Sequence, residues 1–210
     1  MSRSRPSLRS PELCFAAFAV WWIALAIEPR YRADWFLENL PTFLLAPALW
    51  LGYRRRPLSN RAYFQIALFA ALHTLGSHYT YSEVPLGDRM RDLFHLERNH
   101  YDRLVHFAFG VLMVRPIAEI TIRDTHAVGP WAWRYLSLGG VAFCSVVYEI
   151  VEWLVAAIAD PQAGTAFLGT QGDVWDAQKD MGLALVGACL GLLIDDGRKR
   201  RHVGKRGSAG

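Results

Sequence analysis

The chain has 210 residues, of which 52% are hydrophobic and 20% charged, with 8 Trp and a formal net charge of +4. The apolar residues fall in long blocks separated by charged loops, which argues against a soluble domain and for an all-α, polytopic transmembrane helix bundle. The basic surplus flanks those blocks and forms no patch interleaved with aromatics, so nucleic acid is not an expected partner and the charge reads as an orientation signal.

Six spans are predicted in one domain, residues 11–195, between a short tail, 1–10, and a basic tail, 196–210; no internal repeat is visible. The first span, about Leu13 to Ile27, follows Arg3, Arg5 and Arg9 and contains Ala24-Leu-Ala26, a pattern also found in cleaved signal peptides. Trp21, Trp22 and the following Glu28-Pro29 fit better with a retained span that ends at an interface. The second span, about Phe36 to Tyr53, is the least regular. It holds Glu38, Pro41 and Pro47, and prolines kink or interrupt a helix unless neighbouring groups re-satisfy the backbone.

The third span, about Ala62 to Tyr79, carries His73 past its middle and His78 at its end. In the loop that follows, Tyr79 to Pro85 suits a headgroup zone. Arg89, Arg91, His95, Arg98 and His100 there either meet phosphate or stay solvated. The fourth span, about Asp102 to Ile120, opens with Asp102 and His106, four residues apart and so on one helical face. The fifth, about Leu136 to Ala159, stacks Glu149 and Glu152 in a stretch that is otherwise nearly all apolar and has no Lys or Arg.

The sixth span, about Val174 to Ile194, is the most informative. Its apolar part, Met181 to Ile194, is too short for a hydrocarbon core that needs roughly 20 helical residues. The span closes only if Asp176, Lys179 and Asp180 enter the membrane, and intramembrane carboxylates are costly enough to suggest function. Gly187 and Gly191, like Ala184 and Ala188, recur at the small-residue spacing of close helix contact. Arg198 to Arg201, Lys205 and Arg206 form an anchor suited to anionic lipid. Cys14, Cys144 and Cys189 lie in apolar blocks without pairing or ligand spacing and are expected as small core residues.

Alternate loops on the side of the two tails hold 16 of the 23 Lys and Arg, which places both termini in the cytoplasm. With that orientation, His73, His78, Asp102, His106, Glu149, Glu152, Asp176 and Asp180 all fall in the outer half of the membrane, on four different helices. Bland readings exist for several of them. A lone His73 suits a hydrogen-bonding strut, Asp102 pairs readily with Arg103, Lys179 neutralises Asp176 or Asp180, and Asp173 caps a helix. Scattered structural polar groups, however, would not select one leaflet.

The expected site therefore has Glu149, Glu152 and His106 as acid–base groups or ligands, with Asp102 orienting His106. His73, His78, Asp173, Asp176 and Asp180 are the candidate metal ligands. Carboxylates and imidazoles facing inward from several helices suit a divalent metal: oxygen favours hard cations, and imidazole extends the choice to Zn, Mn or Fe. No His-Glu-x-x-His, Cys pair or repeated Glu-x-x-His is present to name the metal. Such a site would activate water against a lipid or envelope ester. The competing classes are a small proton- or cation-coupled transporter, for which a homo-oligomer would compensate for the lack of a repeat, and a structural membrane protein.

Four stretches carry a resemblance: Gly76 to Pro85, Asn99 to Phe107, Tyr148 to Trp153, and Gly169 to Met181. In these residues the chain resembles the YjdF-like bacterial inner-membrane proteins, a domain of unknown function. The resemblance implies a multi-pass protein of the bacterial inner (plasma) membrane in contact with membrane lipids, and brings no activity with it. It does not reach the first two spans, the Thr121 to Arg134 loop or the tails.

A retained first span predicts that the purified protein keeps the residues before Ile27. An intact-mass measurement reads this directly, and a chain beginning at Ile27 would remove that span.

Overall fold

The computed structural model describes residues 10–125, 130–158 and 169–207, with side chains described for 10–123, 131–158 and 169–195; among these residues every regular element is helical. The order is α1 (Ser10–Ala26), α2 (Arg32–Glu38), α3 (Leu40–Arg55), α4 (Asn60–Tyr79), a single 3-10 turn (Tyr81–Glu83), α5 (Pro85–Phe94), α6 (Tyr101–Thr125), α7 (Pro130–Ile158) and α8 (Asp176–Gly207). Three of them are long and apolar enough to cross a membrane: Tyr101–Arg123 in α6, Trp131–Ile158 in α7 and Asp176–Asp195 in α8. α1 is a shorter apolar helix.

The prolines divide the second predicted span. α2 stops at Glu38 and α3 restarts with Pro41 in its first turn, where a missing N–H costs nothing; Pro47 is carried inside the helix. Asn39 fills the break. It is fully buried, accepts the Trp22 indole N–H at 2.7 Å and donates to the Trp35 carbonyl at 2.7 Å. The junction holds Glu38 inside the bundle, and the rings of Trp22, Trp35 and Phe43 pack around it. α1 is tied to α4 by the Trp21 indole on the Ala71 carbonyl and by His78 Nδ1 on the Leu25 carbonyl. α4 begins on a Ser59 cap whose hydroxyl accepts from the Ala62 N–H.

α6 is the centre of the bundle, packed by α4, α7 and α8. Its contact with α8 is close enough to be backbone on backbone. A Cβ on Gly110 would stand 1.9 Å from the Ala184 carbonyl oxygen, and one on Gly187 would stand 2.2 Å from the Phe107 carbonyl oxygen. Ala184 and Ala188 are fully buried there with Val114, Val141 and Leu192. Gly110 is the half of this contact that the sequence reading missed. In lipid, close packing of this kind, not apolar burial, drives helix association.

The same physics reverses the expectation for the cysteines. Cys144 and Cys189 are exposed and Cys14 half-buried, because an apolar side chain facing lipid loses nothing by staying outside the bundle. α7 likewise turns Phe143, Trp153 and Ile158 outward.

At the end of the bundle formed by the start of α4, the end of α6 and residue 195 of α8, charges are matched. Arg61 reaches Asp195 at 2.6 Å, Arg115 bridges Asp195 at 3.2 Å and Glu119 at 3.0 Å, and Glu119 accepts from the Ser59 hydroxyl at 2.6 Å. α8 continues helically through the basic segment to Gly207.

Gly110→Leu or Gly187→Leu is expected to force α6 and α8 apart at a cost of about 1–3 kcal/mol or more, by analogy with overpacked cores. Gly182→Ala, whose Cβ meets nothing within 4 Å, is expected to be neutral or to gain up to about 1 kcal/mol of helix propensity. Thermal unfolding of the three variants in detergent, followed by helical circular dichroism, checks the contrast.

Candidate functional site

The opposite end of the bundle collects the polar residues of α2, α4, α6, α7 and α8. Its rim is an ion-pair network. Arg98 meets Asp176 in bidentate fashion, Nη1 to Oδ1 at 2.6 Å and Nη2 to Oδ2 at 3.0 Å, and donates to the Thr170 and Gly169 carbonyls. Arg103 bonds both Asp176 and Asp173, and Lys179 reaches Asp173 at 2.5 Å. Asp173 also accepts the Trp175 N–H at the start of α8. These bonds, the one from Lys179 foremost, hold the Asp173 carboxyl well below its ordinary value of 3.8. His100, beside this network, is lowered by burial first and then by Arg103 and Arg98.

The rim is set by the loops. Gln171, at φ 48°, clasps the backbone of Asn99, accepting its N–H at 3.0 Å and donating to its carbonyl at 2.9 Å. The Asn99 side chain, fully buried, donates to the Val84 carbonyl and accepts the Tyr101 N–H that opens α6. A Cβ on Gly87 would fall 1.8 Å from Asn99 Oδ1, so only glycine lets α5 close against this asparagine.

Beneath the rim lies a cluster of a different kind. One ligand atom each from Asp102, His106 and Asp180 falls within 4.8 Å of the others, and all three residues are buried. His106 Nε2 stands 3.5 Å from Asp102 Oδ1 and 3.3 Å from Glu149 Oε1. Among the described residues, Asp180 Oδ1 and Glu149 Oε1 are buried without a hydrogen-bond partner, although a buried oxygen of this type costs about 1–3 kcal/mol when left unsatisfied. Glu152 is buried and interacts electrostatically with Glu149, Asp102, Asp180 and Glu38.

Further along, His73 uses both ring nitrogens. Nε2 lies 2.9 Å from the Glu38 carbonyl, which can only accept, so Nε2 carries the proton; Nδ1 then accepts from the Tyr81 hydroxyl at 2.5 Å. The imidazole thus braces α4 against α2 and the 3-10 turn. Tyr148 donates to Glu38 Oε2 at 2.6 Å, and its ring lies edge-on to both His73 and His106, at 6.2 and 6.0 Å between centroids.

Of the sequence candidates, the structure brings Asp102, His106 and Asp180 together with Glu149, and Glu152 is buried within electrostatic reach of them. Asp173 and Asp176 sit in the arginine rim. His73 is engaged by Glu38 and Tyr81, and His78 is turned to the Leu25 carbonyl on α1. The sequence reading missed Glu38, Tyr81 and Tyr148 as members of the cluster, and Arg98 as the partner of Asp176. Glu38, like Glu149 and Glu152, is an acid in an apolar stretch, but the prolines around it made it look like a break.

Fold and site together define a multi-pass helical membrane protein with a buried carboxylate–imidazole cluster at one end of its bundle. The chain belongs to the family described as "Predicted membrane protein (DUF2238)", which matches residues 11–201. It is 36% identical over 172 residues to "Inner membrane protein YjdF" of Escherichia coli (strain K12), an alignment that covers 82% of each chain. It is accordingly a multi-pass protein of the bacterial inner membrane. No solved structure matches it.

Arg98→Ala leaves the Asp176 carboxylate, buried on the rim, with Arg103 alone. Breaking a buried pair costs about 3–5 kcal/mol, and the remaining arginine brings the expected loss to the lower end. Arg98→Ala combined with Asp176→Asn is expected to recover part of it in the same unfolding assay. The Asp173 contribution has the sign of a depressed carboxyl. It is complete above the ordinary value of 3.8 and is lost as pH falls below it toward the lower folded value. Thermal stability of wild type relative to Asp173→Asn is therefore expected to converge as pH is lowered below about 4.

Proposed function

We propose that Asp102, His106 and Asp180 hold a divalent cation, and that the protein is a metal-dependent hydrolase or transferase acting on lipid or envelope substrates. The observation that carries this reading is the partnerless, buried Asp180 Oδ1, in a residue 2% exposed and set against a second acid and an imidazole. Ligand atoms within 4.8 Å of one another suit bonds of about 2.3–2.6 Å with little movement, whereas bonds of about 2.0–2.2 Å need the ligands to close further. A bound cation would supply Lewis acidity toward an ester or phosphoester. Glu149, whose Oε1 stands 3.3 Å from His106 Nε2, would take a proton from attacking water, and the rim arginines fix Asp176 at the mouth.

A second reading has its own support. Glu38, Asp102, Glu149, Glu152 and Asp180 form no ion pair with Lys or Arg among the described residues, and Glu152 and Glu38 extend the acids beyond what a three-ligand site requires. Buried acids in series also suit a proton- or cation-coupled carrier.

Elemental analysis of the purified protein in detergent separates the two. The enzyme reading expects about one metal per chain in wild type, lost in Asp180→Asn and retained in Glu149→Gln. Metal-free wild type of full helical content overturns it. Proton-coupled flux in liposomes that Glu152→Gln abolishes would favour the carrier.

A further inference from the structure

α5 is a ten-residue helix that carries its apolar side chains on the outside. Leu86, Met90, Leu93 and Phe94 recur at helical spacing along one stripe, with Leu86 46%, Leu93 71% and Phe94 62% exposed. Among the described residues the helix is seated on another side. Gly87 is buried against Asn99, and Asp88 Oδ1 accepts from Asn99 Nδ2. Asp92, on the face opposite the stripe, pairs with Arg91 and is 71% exposed.

What covers the stripe follows from where α5 lies. It joins the end of α4 to the start of α6, and α6 enters its membrane-spanning segment at Tyr101, seven residues beyond Phe94. α5 is therefore at the level where the bundle leaves the membrane. Exposed Phe36, Val174 and Trp175 occupy the same end on α2 and at the start of α8, and they continue the apolar belt around it. Arg89 is exposed beside the stripe, where a cation suits lipid phosphate.

We infer that α5 lies flat in the lipid interface at the site's end of the bundle, with Leu86, Leu93 and Phe94 in the acyl boundary and Asp92 in water. The occupant of this surface is the lipid leaflet itself. Through Asn99, which binds the Val84 carbonyl and Asp88 on one side and is clasped by Gln171 on the other, the interfacial helix is joined to the Gly169 to Asp176 segment that forms the rim. The mouth of the cluster is thereby held at headgroup depth. This inference does not depend on a metal or on catalysis.

Spin labels at Leu93→Cys, Phe94→Cys and Asp92→Cys test it in the full chain, with Cys14, Cys144 and Cys189 replaced by Ala and the protein reconstituted in anionic nanodiscs. Oxygen is expected to relax the labels at 93 and 94 more than a water-soluble nickel chelate does, with the order reversed at 92. Greater nickel than oxygen access at all three positions would mean that α5 stands in water. Little access of either relaxant at 93 and 94 would mean that protein covers it. Both results overturn the inference. Should the cysteine-free chain lose its helical content, photo-crosslinking residues at the same positions in the native-cysteine chain give the same decision. Lipid adducts at 93 and 94 but not at 92 support the interface; their absence, or protein adducts in their place, overturns it.

Discussion

The arrangement of the site depends on one contact, the glycine-mediated approach of α6 to α8. Both helices run in the same direction from the polar end of the bundle, and Gly110 sits against Ala184 with no room for a side chain. One turn back from that pair are His106 and Asp180, and one turn further are Asp102 and Asp176. A single steric constraint in the apolar half therefore sets the alignment of acids and imidazole in the polar half. Helices held apart by ordinary side chains would stand wider, at roughly 8–10 Å between axes, and the three donors would no longer share one centre.

The two ends of the bundle treat buried charge differently. Where α4 begins and α6 ends, Arg61 and Arg115 face Asp195 and Glu119, and each charge has an opposite partner. At the other end the arginines are committed to the rim, and among the described residues Glu38, Asp102, Glu149, Glu152 and Asp180 lie beneath it with no ion pair to Lys or Arg. Removing a carboxylate from water is costly unless it is compensated, and the rim arginines supply that compensation to Asp173 and Asp176. The matched end of the same molecule shows the contrasting arrangement, in which Arg61 and Arg115 face Asp195 and Glu119.

Much of this was legible along the chain. The acids of the sixth span drew attention because the apolar run was too short without them, and the spacing of Asp102 to His106 and of Glu149 to Glu152 placed each pair on one face. The small residues of α8 announced close packing. What could not be read was which polar groups would satisfy one another. Asp176 looked as much a ligand as Asp180, yet Arg98, seventy-eight positions away, takes both of its oxygens. His73 is fully used by a backbone carbonyl and a tyrosine. Glu38 was obscured by prolines whose effect was to end one short helix and begin another, with the acid held inside the bundle.

The sequence by itself determined the class of this protein: apolar blocks of spanning length, basic residues flanking them, and acids that must enter the membrane, because backbone satisfaction and hydrocarbon thickness leave a helical bundle as the reading. Only the tertiary structure decided how the acids divide into those neutralised by arginine at the rim and those left in excess below it. That division depends on distances of a few ångströms between residues far apart in the chain, set by how closely α6 and α8 approach, and helical periodicity carries information about faces within one helix but none about the partner across the gap.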